Sequence, residues 1–206
     1  EYVERMRDDQ KSIYYITGQN QISLINSPLL EMYEKKGIEV LLLDDEIDEI
    51  IISSIPKYDE KELKSVNRSG AADDFSDETD KDIEKSLKPV IKKMKKVLGE
   101  RVKDVKISNR LNDSPSCIVA DEHDPTAQMQ EIMRSMGQAD MPQIKPILEI
   151  NPSHEIVEKL KAKTKQKSFD DVALLLYEQA LIQEGVKLED PAGFVERLNS
   201  VLVESL

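Results

Sequence analysis

The sequence predicts an α+β protein in which a small α/β unit with a parallel sheet precedes a mixed unit of helices and three strands. In the first third of the chain, apolar and β-branched runs alternate with helix signals, which is typical of strands joined by helical crossovers. A polar segment over residues 67–82 then lacks apolar periodicity and indicates a linker. Beyond it, three further strand-like runs lie among amphipathic helices, and the last two helices are strongly apolar.

The first unit is predicted to span residues 1–66, with strands at residues 12–17, 38–43 and 62–66. A helix over residues 29–36 follows Ser27 and Pro28, which form a typical cap and first-turn pair. The second strand is a continuous apolar run, as expected where both faces of a strand are buried. The acidic residues from Asp44 onwards favour the start of another helix, because carboxylates stabilise the positive end of a helix dipole.

The second unit is predicted to span residues 83–206. Its first helix has an apolar stripe at spacings of three and four, formed by Leu87, Val90, Ile91, Met94, Val97 and Leu98. Strands are predicted at residues 102–108, 116–120 and 146–150, and further helices at residues 126–136, 152–166, 169–184 and 191–205. Strands and helices thus mix without the regular alternation of the first unit.

Charge and cysteine content restrict the class of protein. The 206 residues contain 29 Lys and Arg against 41 Asp and Glu, a net charge of −12 that argues against binding to nucleic acid or to an anionic membrane. Cys117 has no internal partner for a disulfide, which suits a reducing compartment, and no apolar run approaches the ~20 residues of a membrane span. We therefore expect a cytoplasmic protein and, since the chain opens without methionine, a piece of a longer one.

No catalytic residue, metal site or cofactor site is predicted. The seven glycines lie too far apart for a glycine-rich phosphate loop, and His123, His154 and Cys117 do not form a usual zinc set. The acids of residues 44–49 could bind a divalent cation, but they lack the spacing of a calcium loop. A helix N-terminus explains them more simply.

Two apolar helices allow alternative interpretations. The helix over residues 126–136 carries Met129, Ile132, Met133 and Met136 on one face, which suits either a core or a surface that accepts varied partners. The helix over residues 169–184 is apolar almost all round, and the last helix has a stripe from Phe194 to Leu202. This pair could build a four-helix bundle with a second copy or be buried in one large core.

Several segments together resemble the ninety-kilodalton heat-shock protein chaperones. The resemblance is carried, in the family's order, by ERMRDDQKSIYYITG, KKGIEVLLLDDEIDE, SNRLNDSPSCIV, LEINPSHEIVEKL and LLLYEQALIQEGVKLEDP. It covers essentially the whole chain. The ending VESL lacks the M-E-E-V-D tail of cytosolic eukaryotic members, so we expect the bacterial form and no docking of tetratricopeptide co-chaperones.

The resemblance implies that residues 1–66 are the last subdomain of the middle domain and residues 83–206 the C-terminal dimerisation domain. The ATP-binding domain would then lie upstream, so ATP and magnesium are implied for the full-length protein and no cofactor or enzymatic activity for this chain. The implied function is that of a stress-response chaperone segment. Its expected partners are a second copy, non-native client proteins and other chaperones.

The resemblance also assigns site residues. The implied client-binding residues are Glu49, Ile50, Ser53, Met129, Ile132, Met133 and Met136, with Ile50 standing where well-known bacterial members have tryptophan. The methionine face is then expected to be exposed in the cleft of the dimer. The implied dimer interface consists of Leu175, Leu176, Leu181, Phe194, Leu198, Val201 and Leu202.

Two alternatives to client binding remain. The chain could be a purely structural dimerisation scaffold whose client contacts lie elsewhere. It could also be a small-molecule enzyme built on the first α/β unit, although the absence of a glycine-rich loop argues against that interpretation.

Overall fold

The structure is a computed structural model that describes residues 1–75, 81–137, 144–164 and 168–205. The first unit contains α1 (Tyr2–Arg5), β1 (Ser12–Thr17), α2 (Gln21–Ile25), α3 (Glu31–Lys36), β2 (Val40–Leu43), α4 (Glu46–Ile52), β3 (Lys57–Tyr58) and β4 (Lys61–Ser65). Within the described residues, these strands form one sheet in the order β2-β1-β4-β3. Strand β1 is parallel to β2 and β4, which confirms the predicted parallel sheet, and β3 adds an antiparallel edge.

Strand β2 lies at the edge of this sheet and is only half-buried. The expectation that residues 38–43 are buried on both faces is therefore wrong. The central position belongs to β1, in which all six residues are buried. An apolar run indicates a strand but does not specify whether the strand is central, because the order of strands depends on the crossovers.

The first part of the predicted linker is packed against the first sheet. Residues Ser69–Phe75 form a 3-10 helix, and two small side chains of it, Ala71 and Ala72, are buried. The Phe75 ring lies 5.3 Å from that of Tyr14. A few apolar residues are enough to anchor a short helix, and so few produce no visible periodicity in the sequence. Residues 76–80 of the linker lie outside the described part.

The second unit contains α5 (Lys81–Leu98), β5 (Asp104–Ile107), β6 (Ser116–Val119), α6 (Ala127–Ser135), β7 (Ile147–Ile150), α7 (Glu155–Lys163), α8 (Ser168–Gln183) and α9 (Pro191–Ser205). In the described part of the chain its strands form a second sheet in the order β5-β7-β6. Strand β7 is parallel to β5 and antiparallel to β6. Mixed sheets with helices in both units confirm the predicted α+β class.

Helix α8 lies at the centre of the second unit. It contacts α5, α9 and strand β6, which explains why its sequence is apolar almost all round. Most of its buried residues join the buried stripe of α5 and two residues of α7 in one core. The helical members of this core are Leu87, Val90, Met94, Leu98, Val157, Leu160, Phe169, Ala173, Leu176, Tyr177 and Ala180. The periodicity of α5 therefore predicted its buried face correctly.

A fully buried arginine joins the two units. Arg110, in the loop between β5 and β6, donates hydrogen bonds to the carbonyl oxygens of Val66 at 2.6 Å and Arg68 at 2.9 Å. Its Nε lies 3.0 Å from Oε2 of Glu149 on β7. Nearby, the Glu31 carboxylate of α3 accepts the backbone N–H groups of residues 112, 113 and 114, at 2.5, 2.9 and 3.0 Å.

Candidate functional site

Helices α4 and α6, which carry the residues implied in client binding, pack against each other. Thr126 is the N-cap of α6, since its Oγ1 accepts the backbone N–H of Met129 at 3.1 Å. The same hydroxyl donates a 2.5 Å hydrogen bond to Oε1 of Glu49 on α4. Two segments that are 77 residues apart in the sequence are therefore joined at one side-chain contact.

The three predicted residues of the first unit differ in accessibility. Glu49 is only 5% exposed and faces α6 rather than solvent. Ile50 is half-buried, and Ser53 is exposed, with its hydroxyl donating to the carbonyl oxygen of Ile50 at 2.7 Å. In this conformation the Glu49 carboxylate positions α6 and does not present itself to an external partner.

The four predicted apolar residues of α6 show a gradient of exposure along the helix. Ile132 is 6% exposed, Met129 and Met133 are half-buried, and Met136 is 69% exposed. Within the single chain Ile132 is therefore covered and Met136 is open to solvent, and the role of this face in client binding stays a prediction. The start of α6 is fixed to α4 through Thr126, whereas the exposure is greatest at the C-terminal end of the helix.

Helix α4 itself adds exposed apolar surface that the sequence analysis did not assign. Ile47 is 54% exposed and Ile51 is 49% exposed. They are four residues apart and thus share one side of the helix. The signal was present in the run EIDEIII, which has apolar residues on more sides than one short helix can bury.

Helix α9 rests on α8 and has no buried side chain among its described residues. Val195 is 51% exposed, and Phe194, Leu198 and Val201 are half-buried. The guanidinium of Arg197 forms an ion pair with Glu178 of α8, which attaches one helix to the other. The apolar stripe of α9 is thus only partly covered by its own chain.

Two of the predicted interface residues belong to the core of the chain itself. Leu176 is part of the core around α5 and α8, and Leu175 is also buried. Both side chains are thus covered by contacts within the chain, and their role at an interface stays a prediction. Leu181 is half-buried, and Leu202 on α9 is 49% exposed.

The acidic segment has a structural explanation. The backbone N–H of Asp45 donates to the Asp48 carboxylate at 3.4 Å, which is one half of a capping box at the start of α4.

Among the described residues, the two histidines do not form a metal site with other ligands. His123 is exposed, and Nδ1 of His154 accepts the N–H of Ile156 at the start of α7. Over the described ranges no three His, Cys, Asp or Glu side chains are grouped as a metal site.

Burial dominates the chemistry of Cys117. The thiol is buried, and burial raises the pKa of Cys117 well above its ordinary value, so that it stays protonated at neutral pH.

Among the described helices, none combines the length and apolar character needed to cross a membrane.

Comparison with known proteins gives consistent similarities along the chain. All residues, 1–206, match the family described as Hsp90 protein. The chain is 49% identical to Chaperone protein HtpG of Treponema denticola, over 98% of this chain and 32% of that protein. It is 45% identical to Chaperone protein HtpG of Treponema pallidum, with the same shares, and of Legionella pneumophila, over 100% of this chain and 33% of that protein.

The chain thus spans about a third of the length of these relatives. The matches cover both structural units, including the α4–α6 contact and helices α8 and α9. As the resemblance of its segments predicted, the chain belongs to the Hsp90 family of chaperones.

Proposed function

We propose that this chain is the dimerising and client-binding part of a bacterial Hsp90-family chaperone. Two copies associate through α8 and α9, and apolar side chains of α4 and α6 bind non-native polypeptides. ATP hydrolysis, with magnesium, belongs to another part of the full-length protein, so this chain by itself does not turn over ATP. Cytoplasmic location, a role in the stress response and cooperation with other chaperones belong to the same proposal.

Helix α9 is the observation that carries the proposal. A helix packed on one neighbour normally buries one apolar stripe, yet none of the described α9 side chains is buried. Val195 and Leu202, seven residues apart and on one side of the helix, are about half exposed, as is Ile182 of α8. Leaving such side chains in water forgoes about 25 cal/mol per Å² of apolar area.

A second copy of the chain is the partner that best fits this surface. Most soluble homo-oligomers are two-fold dimers, whose interface joins the same patch on both chains. Two α8–α9 pairs, each already packed through Arg197 and Glu178, would form a four-helix bundle and cover the stripe.

Client binding is supported by the surface beside the α4–α6 contact. Ile47 and Ile51 of α4 and Met136 at the end of α6 are all largely exposed. Large apolar side chains grouped in water mark interaction surfaces, and methionine adapts to partners of varied shape.

The scaffold alternative is favoured by a different observation. Glu49 and Ile132, two of the implied client residues, are buried by contacts within the chain. If the rest of that face plays the same structural role, the chain dimerises while clients bind elsewhere in the full-length protein.

The dimer is tested by light scattering on the unmodified chain over a dilution series from micromolar to nanomolar concentration. Val195→Glu would place an unpaired charge in the bundle, which costs several kcal/mol, and should give monomers at concentrations where the unmodified chain is dimeric. Ser200→Glu adds the same charge at an exposed position of α9 on the side of the helix away from Val195 and Leu202, and should remain dimeric. A monomeric unmodified chain at micromolar concentration would contradict the proposal.

A further inference from the structure

A cavity of about 420 Å³ lies between the end of β1, helix α6 and the C-terminal end of α8. Polar groups from four parts of the chain line it, at Gly18, Asn67, Gln128 and Glu184. Apolar walls complete it, formed by Leu24, Ile118, Tyr177 and Leu181.

Glu184 contributes a carboxylate whose charge is compensated by few hydrogen bonds and by no ion pair among the described residues. Its one hydrogen bond among the described residues comes from Nδ2 of Asn67 at 3.5 Å, and no described Lys or Arg nitrogen lies within ion-pair distance. Burial raises the pKa of Glu184 to about 7, although the Asn67 hydrogen bond and the charge of Arg110 both lower it. The group therefore lacks a cationic donor.

Gln128 contributes a second acceptor without a donor. Its Nε2 donates to the carbonyl oxygen of Gly18 at 3.4 Å, which fixes the orientation of the amide, because the reverse orientation would oppose two oxygen atoms. Oε1 of Gln128 is then buried, with no hydrogen-bond partner in the described part of the chain. Such an unsatisfied acceptor is uncommon in a folded protein and destabilises it.

Both acceptors are held against the same dipeptide at the end of β1. Asn67, which contacts Glu184, also accepts the N–H of Thr17 at 3.0 Å and donates to its carbonyl oxygen at 3.1 Å. Gln128 contacts the next residue, Gly18. The residues that line the cavity thus include two side chains, Glu184 and Gln128, whose oxygen acceptors have no cationic donor among the described residues.

In the described part of the chain, the other charged groups of the cavity do not act as hydrogen-bond donors to Glu184 and Gln128. Arg134 pairs with Glu131 at 3.9 Å, and Lys145 pairs with Glu100. Lys187 and Glu189 also line the cavity and oppose each other in charge. Two of the lining cations are thus already paired with acids, which disfavours an anionic ligand.

We infer that this cavity binds an organic cation with N–H donors, an alkylammonium or guanidinium group, with its charged end between Glu184 and Gln128. Charge-assisted hydrogen bonds to a carboxylate are about twice as strong as neutral ones, and an ammonium group has a further donor for Oε1 of Gln128. The alkyl part would contact Leu24, Ile118 and Leu181. The cation is either a free amine or a lysine side chain of another polypeptide. The site depends neither on dimerisation nor on client binding.

The first test compares three probes of similar size by calorimetry and by the carbon NMR signal of the Glu184 carboxyl group. n-Butylammonium should bind and lower the pKa of Glu184, because a cation stabilises the charged carboxylate. Tetramethylammonium, which has the charge without N–H donors, and n-butanol should not bind. With a pKa of about 7, n-butylammonium should bind about tenfold more weakly at about pH 6 than at about pH 8.

Matched variants locate the site. Glu184→Gln should abolish binding and Gln128→Met should weaken it, whereas Glu189→Gln, at an exposed lining residue, should bind as the unmodified chain does. A lysine peptide that binds where its alanine counterpart does not would support a polypeptide source; binding of the free amine alone would support a small-molecule source.

The inference is wrong if tetramethylammonium binds as tightly as n-butylammonium. It is also wrong if the pKa of Glu184 does not move or if Glu184→Gln still binds. Should Glu184→Gln fail to fold, the three probes on the unmodified chain decide the question.

Discussion

Thr126 and Glu49 form a buried 2.5 Å hydrogen bond between the start of α6 and the middle of α4. Thr126 simultaneously caps α6 by accepting the N–H of Met129. One hydroxyl therefore determines where α6 begins and attaches it to α4. The two helices joined by this contact also carry exposed apolar residues, Ile51 and Met136 among them.

Replacing Thr126→Val should destabilise the chain by about 2–4 kcal/mol, because it removes a helix cap and the donor to a buried carboxylate. Thr126→Ser keeps the hydroxyl and should cost less than about 1 kcal/mol. Urea unfolding of both variants measures the difference. Equal stability of Thr126→Val and the unmodified chain would mean that this contact contributes nothing.

Substitutions at the two extremes of α6 should separate stability from client binding. Ile132→Ser should lose about 2–5 kcal/mol, because it truncates a buried side chain. Met136→Ser, at a position that is 69% exposed, should change stability by less than about 0.5 kcal/mol and yet weaken suppression of the aggregation of an unfolded protein. The melting temperature and the aggregation assay are compared for both variants. Undiminished suppression by Met136→Ser would favour the scaffold alternative.

Arg110→Met should destabilise the chain by about 3–5 kcal/mol, since it leaves the buried Glu149 carboxylate without its cation. The double variant with Glu149→Gln should recover part of this loss, because no uncompensated charge then remains. Denaturant unfolding of the single and double variants gives the coupling between the two residues. An unchanged loss in the double variant would show that the hydrogen bonds to Val66 and Arg68 dominate.

Asp74 should make a stabilising contribution that depends on pH. Burial acts to raise the pKa of Asp74, but hydrogen bonds from Lys64 and Tyr14, both at 2.7 Å, outweigh it and lower the pKa. A lowered pKa means that this stabilisation is complete above the ordinary value of 3.8 and is lost as the pH falls through the lower value of the folded state.

Asp74→Asn should therefore be less stable than the unmodified chain by about 1–3 kcal/mol near neutral pH, as is typical of hydrogen bonds to a charged group. This difference in stability between the two proteins should disappear as the pH falls below about 4. Urea midpoints of both proteins over that range provide the measurement. A stability difference that does not change with pH would mean that the charge of the Asp74 carboxylate does not cause it.

The local elements could largely be predicted from the sequence. The periodicity of Leu87, Val90, Met94 and Leu98 identified the buried face of α5, and every predicted strand is present within a few residues of its expected position. The short 3-10 helix Ser69–Phe75 could not be predicted, because Ala71, Ala72 and Phe75 are too few to form a repeating pattern. The edge position of β2 depends on strand order, which its own residues do not encode.

The candidate site also combines features that the sequence indicated with features that depend on the tertiary structure. Resemblance to the family selected Glu49, Ile132 and Met136, but their exposed fractions of 5%, 6% and 69% depend on the tertiary contacts of α4 and α6. The sequence equally showed that α8 is apolar all round, without showing that α5, α9 and β6 surround it within one chain.

The sequence by itself determined the family, the α+β class and the identity of the apolar faces, because these depend on local residue patterns and on motifs in a fixed order. Only the tertiary structure decided which apolar faces are covered. It buried Leu176 in the core while leaving Val195 half-exposed, and it brought Glu184, just after α8, and Gln128 of α6 to one cavity. The physical reason is that burial and unsatisfied hydrogen bonds depend on contacts between residues far apart in the chain.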